Sequence, residues 1–286
     1  MGWTNVGKST LLNRIVGEKV AAVAEVPQTT RNRIQGIRNL PGQGQVIFVD
    51  SPGLHRPRHR MNRNMVRLAA ESLRAVDLGL LIVDASRGLG DGDEQAAEVV
   101  KRSGKPALAV LNKIDLVRSK SRLLPMIDTV VRKWGMSEAI PISALTGDGC
   151  DELVERVVAH LPEGEPHFPE ETYTDQPERA LAAEWVREKL LQKTRQEIPH
   201  AVAVQVDRWL DREDGVVEID ATILVERDSQ KAIVIGRGGG LLKQVGVEAR
   251  VDLERLLGTR VFLSLWVKVR PGWRDDERVL RQLGLD

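Results

Sequence analysis

Cysteine occurs once in the 286 residues, at Cys150. A single thiol excludes a disulfide framework and any multi-cysteine zinc site, and leaves Cys150 as a small packing residue. An excess of one charge is also missing, with 42 Lys+Arg against 41 Asp+Glu. That balance, beside 42% hydrophobic residues, argues against a disordered chain. It also excludes a globally basic nucleic-acid coat protein, while leaving room for a local basic patch. Long apolar runs are absent. The longest, such as Ala75–Val83 and Ala107–Leu111, are far too short to cross a bilayer. No basic-then-apolar leader opens the chain. The expectation is a protein of a reducing, soluble compartment, touching membranes only peripherally. At about 100–200 residues per domain, the length suits two domains.

Residues 1–162 alternate short apolar runs with amphipathic stretches. The runs Val46–Val49, Leu78–Val83, Ala107–Leu111 and Ala139–Ile142 are nearly continuous and rich in Val, Ile and Leu. Strands buried on both faces of a parallel sheet read this way. Between them Arg63–Arg74, Gly92–Ser103, Arg122–Trp134 and Cys150–His160 read as helices. The alternation predicts a doubly wound, mostly parallel α/β domain. Residues 163–177 read as an extended connector, with Pro166, Pro169 and Pro177 set among acidic residues. Over residues 178–286 the pattern changes. A helix is expected over Glu178–Glu197, then strands over Ala201–Leu210 and Gly215–Glu226. A strand end at Ile233–Ile235, a glycine cluster, a helix over Leu241–Leu257 and a strand over Arg260–Val269 follow. This is an α+β second domain.

Gly2-Trp3-Thr4-Asn5-Val6-Gly7-Lys8-Ser9 fits the pattern G-x-x-x-x-G-K-S/T. Its glycines let backbone N–H groups turn toward phosphate oxygens, Lys8 can reach the β- and γ-phosphates, and the Ser9 hydroxyl can ligand Mg²⁺. Thr10–Val16 then opens a helix whose N-terminus faces the anion. The bland alternative is a glycine turn before a helix. Asp50-Ser51-Pro52-Gly53 follows the run Val46–Val49, and an acid at the carboxyl end of a strand is where a Mg²⁺-holding aspartate belongs. The Gly53 N–H is placed to sense the γ-phosphate. Without the phosphate loop upstream, a turn would be the better reading.

Asn112-Lys113-Ile114-Asp115 follows the run Ala107–Leu111. The Asp115 carboxylate can accept two hydrogen bonds from guanine N1–H and N2–H₂, a pair adenine cannot offer. Lys113 can lie over the base, and Asn112 can tie this loop to the phosphate loop. Ser143-Ala144 follows Ala139–Ile142, placing the Ala144 N–H for guanine O6. All sit at the carboxyl ends of expected strands, the usual ligand side of such a sheet. In Pro27-Gln28-Thr29-Thr30-Arg31, Thr29 or Thr30 can complete Mg²⁺ coordination as a switch loop does. The sequence leaves open which. Leu54 follows Gly53 where many GTPases carry a water-orienting glutamine. Either another group places the water, or a partner supplies it, or hydrolysis is slow, the expectation being slow turnover. His55 is read as a solvated loop residue.

Gly236-Arg237-Gly238-Gly239 forms a G-x-x-G loop ahead of Lys243. Such a loop clamps the backbone of about four single-stranded nucleotides in KH modules. A glycine-rich turn is the competing reading. Lys231, Arg250 and Lys268 could extend a basic patch, and Glu226, Glu248 and Asp252 could equally make salt pairs within it. Trp185, Trp209, Trp266 and Trp273 could stack on bases, although core packing is the safer expectation for most.

Taken together, the chain resembles the Era family of ribosome-assembly GTPases. The resemblance rests on Asn5–Thr10, Gln28–Arg31, Asp50–His55, Asn112–Asp115, Ile142–Ala144 and Phe168-Pro169. The second half adds Arg187–Leu190, Ile223–Arg227, Val234–Gly239, Val245-Gly246, Glu248–Arg250 and Leu265–Trp273. It implies a P-loop GTPase domain joined to a type II KH domain, with GTP or GDP and Mg²⁺ as ligands. It further implies a monomer that binds the 3′ region of 16S rRNA and the 30S subunit and assists maturation. The implied location is the cytoplasm, with peripheral association to the cytoplasmic face of the bacterial membrane. Family members carry hydrophobic residues where Leu54 sits. Trp3-Thr4 departs from the family's basic residue and proline. The strand expected before Gly2 is missing, which suggests a start placed too late. A product beginning at Met1 is expected to fold poorly and bind GTP weakly. The competing functions are a nucleotide-regulated RNA-binding scaffold with negligible hydrolysis and a GTPase serving RNA modification.

Overall fold

The computed structural model describes residues 1–26, 29–53 and 59–285, which form two compact units.

The first unit holds residues 1–21, 30–58 and 62–175. Helix α1 (Lys8–Val16) starts after Gly7 and stops at Gly17, both in the left-handed region. It buries Leu11, Leu12, Ile15 and Val16, one stripe of a 3.6-residue period. Strands β1 (Ile34–Leu40) and β2 (Gly44–Asp50) form an antiparallel pair, with Ile34 opposite Asp50. After α2 (Arg60–Arg74), strands β3 (Gly79–Asp84), β4 (Ala107–Asn112) and β5 (Ala139–Pro141) form a parallel sheet in that order. Helices α3 (Asp91–Arg102), α4 (Leu123–Asp128) and α5 (Cys150–His160) complete the unit. Every residue of β4 is buried. Ala109 and Leu111 pack with Ala96, Val100 and Val130, whereas Leu108 and Val110 pack with Leu11, Ile15, Leu153 and Val157. Alternate side chains of one strand thus enter two cores, which is why its sequence reads as an unbroken apolar run.

Three expectations change here. The run Val46–Val49 lies in β2, which is antiparallel and half-open rather than part of the parallel sheet. Its partner β1 escaped notice because Gln35, Gly36 and Asn39 interrupt the apolar alternation. The stretch Arg122–Trp134 is not one helix: α4 gives way to a wider π-type turn over Thr129–Lys133. The connector is no free tether. Ile37 N–H donates to Tyr173 O (2.9 Å), Thr174 Oγ1 to Gln35 O (2.8 Å) and Gln45 Nε2 to Phe168 O (3.1 Å). At the chain's first residue, the Met1 amino group donates to Leu80 O (2.7 Å) and Met1 O accepts from Ile82 N–H (2.8 Å), one parallel rung beside β3.

The second unit holds residues 176–286 with the short segments 22–29 and 59–61. Its elements are α6 (Glu178–Lys193), α7 (Ile198–Ala201), β6 (Ala203–Asp211), β7 (Val217–Val225), α8 (Asp228–Ile235), α9 (Gly240–Leu257), β8 (Val261–Val269) and α10 (Glu277–Gln282). The sheet order is β6-β7-β8, with β6–β7 antiparallel and β7–β8 parallel. Val186 and Leu190 of α6 and Val245 and Ala249 of α9 close one core over Ala221, Ile223 and Val225 of β7. Segment 22–29 belongs to this unit through Val23 N–H, which donates to Glu188 Oε2 (2.8 Å), and Arg187, which donates to Thr29 O.

Ile233–Ile235 is a correction: it ends helix α8, not a strand. Three apolar residues cannot display a period, and the deciding group is Gln230. Its Oε1 accepts from Glu226 N–H (2.9 Å) and Arg227 N–H (3.2 Å), capping the helix. The order is therefore helix–helix–strand–strand–helix–helix–strand–helix. The long helix expected to reach Glu197 stops at Lys193, and α10, capped by Asp276 Oδ1, was not expected. Trp185 and Trp273 are core residues, whereas Trp266 is exposed. Trp273 is 0% exposed and its Nε1 donates to Ala201 O (3.0 Å). Trp273→Ala is expected to lower the unfolding free energy by about 3–5 kcal/mol. Urea titration followed by far-UV circular dichroism checks this.

Candidate nucleotide-binding and nucleic-acid-binding sites

The first candidate site lies beyond the carboxyl ends of β3, β4 and β5. Gly7 has φ 95°, and a Cβ there would stand 2.3 Å from Asn112 Nδ2. Only glycine fits this turn. Asn112, buried at the end of β4, uses its whole side chain. Nδ2 donates to Val6 O (2.8 Å), and Oδ1 accepts from Lys113 N–H (2.8 Å) and Ala144 N–H (2.9 Å). One amide therefore joins the phosphate loop, the base loop and the Ser143-Ala144 turn. The Ala144 N–H, expected for guanine O6, donates to the Asn112 amide here. Arg14 supports the same turn from α1, its Nε donating to Ala144 O (3.3 Å). Ser143 is fully buried, its Oγ accepting from Thr146 N–H (3.2 Å). Asp115 sits exposed on a short turn, Ile114–Leu116, open to a ligand.

Within the loop, Lys8 Nζ donates to Trp3 O (2.8 Å) and Gly2 O (3.3 Å), two carbonyls of its own turn. Burial pushes the Lys8 ammonium below its ordinary pKa, and Asp50 offsets part of that. Trp3 spreads its ring over the start of α3, where a Cβ on Gly92 would meet ring carbons at 2.5–2.8 Å. Thr4 and Asn5 complete the loop's outer side, Asn5 at φ 60°. Thr10 lies in the first turn of α1. Gly53 passes so close that a Cβ would sit 2.9 Å from Lys8 Nζ, with buried Ser51 and Pro52 leading into it.

Three hydroxyl and carboxylate oxygens converge beside Lys8. Ser9 Oγ lies 2.8 Å from Thr30 Oγ1 and 2.8 Å from Asp50 Oδ2, and Thr30 Oγ1 lies 3.0 Å from Asp50 Oδ2. An octahedral Mg²⁺ with bonds of about 2.0–2.1 Å holds adjacent oxygens about 2.9 Å apart. The donor set and its spacing fit Mg²⁺. Thr29 is not part of it: its Oγ1 donates to Val26 O (2.8 Å). Of the two threonines left open by the sequence, Thr30 is the one whose hydroxyl lies beside Ser9 and Asp50. Gln28, Leu54 and His55 lie outside the described residues, so their expected roles have no structural counterpart here.

The second candidate site is the loop Gly236–Gly239, between α8 and α9. Gly238 (φ 59°, ψ 23°) is left-handed, and a Cβ there would meet nothing within 4 Å. Arg237, Gly238 and Lys243 are exposed, and α9 begins at Gly240 with its N-terminus at the loop. The nearby carboxylates are paired: Glu226 with Arg274, Glu248 with Lys193 (2.7 Å) and Asp252 with Lys189 (2.7 Å).

Comparison with known proteins now bears on both sites. A family model described as a 50S ribosome-binding GTPase matches residues 1–113, and a KH-domain model matches residues 197–274. GTPase Era of Geobacter metallireducens is 50% identical over 99% of this chain and 95% of its own length. GTPase Era of Staphylococcus haemolyticus is 44% identical over 99% and 94%. The chain belongs to the Era GTPase family. Two solved Era structures match with TM-score 0.95 at 41% identity, covering 99% of this chain and 96% of theirs. One is Era in complex with MgGDPNP and nucleotides 1506–1542 of 16S ribosomal RNA; the other is an Aquifex aeolicus Era variant bound to GDP and AlF₄⁻. As in Era, the fold is a P-loop GTPase domain plus a KH domain.

One buried acid beside the base loop went unread in the sequence. Asp84 ends β3 and binds Lys113 at 2.7 Å. The signal was present: an acid closing a buried apolar run, the same placement that singled out Asp50.

Proposed function

We propose that the chain binds GTP and GDP with Mg²⁺, hydrolyses GTP slowly, and grips the 3′ region of 16S rRNA during small-subunit maturation. The observation that carries this reading is the Asn112 amide, which joins phosphate loop and base loop at 2.8–2.9 Å. The names and ligands of the Era relatives support it. In this reading residues 1–162 are the GTPase domain, 163–177 the connector and 178–286 the KH domain.

Lys8 exchanges its contacts with Trp3 O and Gly2 O for the β- and γ-phosphates. An anion there favours the charged ammonium that burial disfavours. Gly7 and its neighbours direct backbone N–H groups at the same oxygens. Ser9, Thr30 and Asp50 hold Mg²⁺, which when bound neutralises charge shared between the two phosphates. Gly53, pressed against Lys8, offers its N–H to the γ-phosphate. Catalysis then rests on positioning and electrostatic stabilisation. Asp115 reads guanine N1–H and N2–H₂. Gly236, Gly238 and Gly239 let a sugar-phosphate backbone approach closely, and Arg237 and Lys243 supply charge.

A monomer acting on the 30S subunit in the cytoplasm, touching the membrane peripherally, rests on the family resemblance. Among the described residues no helix is long and apolar enough to cross a membrane. The RNA half of the proposal is tested by replacing Arg237 and Gly238 with Asp. Aspartate tolerates the left-handed backbone at position 238, so the loop persists while its charge reverses. Binding of a 16S 3′-end oligonucleotide is expected to weaken at least tenfold, with GDP affinity unchanged. Unchanged RNA binding contradicts the assignment.

A further inference from the structure

We propose that Asp84 is a positioning residue for guanine-nucleotide binding, holding the Lys113 ammonium so that the lysine stem is fixed beside the base site. The inference rests on the guanine reading of Asn112–Asp115. Asp84 is 6% exposed and stands opposite Asn112 in the β3–β4 register. Its Oδ2 accepts from Lys113 Nζ at 2.7 Å. Its Oδ1 accepts from Ser86 N–H (3.0 Å) and Ser86 Oγ (2.5 Å), which locks the carboxylate's orientation. The same ammonium donates to Asn5 O at 2.8 Å. One charge thus ties the end of β3, the outer turn of the phosphate loop and the base loop together. Both flanking residues, Asn5 (φ 60°) and Lys113 (φ 66°), occupy the left-handed region that non-glycine residues seldom adopt. A strained backbone at two adjoining loops persists when its surroundings over-determine it, and the shared ammonium is such a restraint. Burial alone raises the Asp84 carboxyl, but the hydrogen bonds from Lys113 and Ser86 bring it below its ordinary value.

The physical consequence is pre-organisation. A lysine side chain loses considerable rotamer freedom when ordered. With its head already held, Lys113 loses that freedom on folding rather than on nucleotide binding. Asp84 therefore acts through Lys113 and makes no contact of its own with the ligand.

The test is a double-mutant cycle read by fluorescent-GDP titration in millimolar Mg²⁺. Asp84→Asn is expected to weaken GDP and GTP alike by about tenfold, mainly through faster dissociation. In a Lys113→Met background the same substitution is expected to cost nothing further. A purely structural role lowers the nucleotide-free melting temperature and multiplies with Lys113→Met, which overturns the proposal. Unchanged affinity of Asp84→Asn overturns it too. Should Asp84→Asn fail to fold, Ser86→Ala replaces it in the cycle. It removes one bond to the carboxylate, and a two- to threefold loss that disappears with Lys113→Met is expected. A loss that persists counts against the proposal. If the unsubstituted chain binds no GDP, the guanine reading itself fails, and the two failures are told apart.

Discussion

Gly7→Ala is expected to raise the dissociation constant for GDP by about a hundredfold or more. Two costs combine at this position. Gly7 has φ 95°, where an L-residue is strained by roughly 1–2 kcal/mol. The added methyl would also stand 2.3 Å from Asn112 Nδ2, well inside van der Waals contact. Either the loop or the amide must move. If the amide moves, Val6 O loses its donor, and Lys113 N–H and Ala144 N–H lose their acceptor. Each buried polar group left unpaired costs about 1–3 kcal/mol. Strain plus even one such unpaired group amounts to about 2–5 kcal/mol, or about 1.5–3.5 decades of affinity. The KH unit does not share these contacts, so oligonucleotide binding by Gly236–Gly239 is expected to survive. Isothermal titration with GDP and with RNA on the same preparation measures both. Wild-type GDP affinity in Gly7→Ala contradicts the clamp.

Asp115→Asn is expected to exchange guanine preference for xanthine preference. A carboxylate accepts the two N–H groups at guanine N1 and N2, and each bond to a charged group is worth about 1.5–3 kcal/mol. An amide presents one acceptor and one donor. It faces guanine N2–H₂ with a donor, but suits xanthine, whose C2 carries a carbonyl. The exposed position of Asp115 makes the substitution structurally quiet. GDP affinity should fall by about two decades or more while XDP affinity rises above it, as read by competition against a fluorescent nucleotide. Retained guanine preference means that the base is read elsewhere.

The parts of the fold that could be read in advance are those where local chemistry decides. The run Ala107–Leu111 became a fully buried strand because both of its faces enter cores, and Cys150–His160 became a helix with those bounds. The glycine loop was legible because phosphate binding demands glycines, a lysine and a hydroxyl at fixed spacing. Long-range partners decided the rest. Strand β1 carries Gln35, Gly36 and Asn39, and is a strand because β2 and the connector bond to it. Helix α8 depends on the Gln230 cap rather than on any pattern within Ile233–Ile235. Thr29 and Thr30 are equivalent in sequence. Only the tertiary structure sends Thr30 to Ser9 and Asp50 and turns Thr29 Oγ1 toward Val26 O. Asp84 escaped because it belongs to no compact motif: its partner, Lys113, lies 29 residues away. The bond from Ala144 N–H to Asn112 was not legible because spacing shows that a donor exists and says nothing of the amide bonded to it.

The most direct measurement is equilibrium binding of fluorescent GDP to the purified chain in millimolar Mg²⁺, with unlabelled GTP and ATP as competitors. The account requires saturable binding that GTP displaces and ATP, even in large excess, leaves untouched. No binding, or equal displacement by ATP, contradicts it.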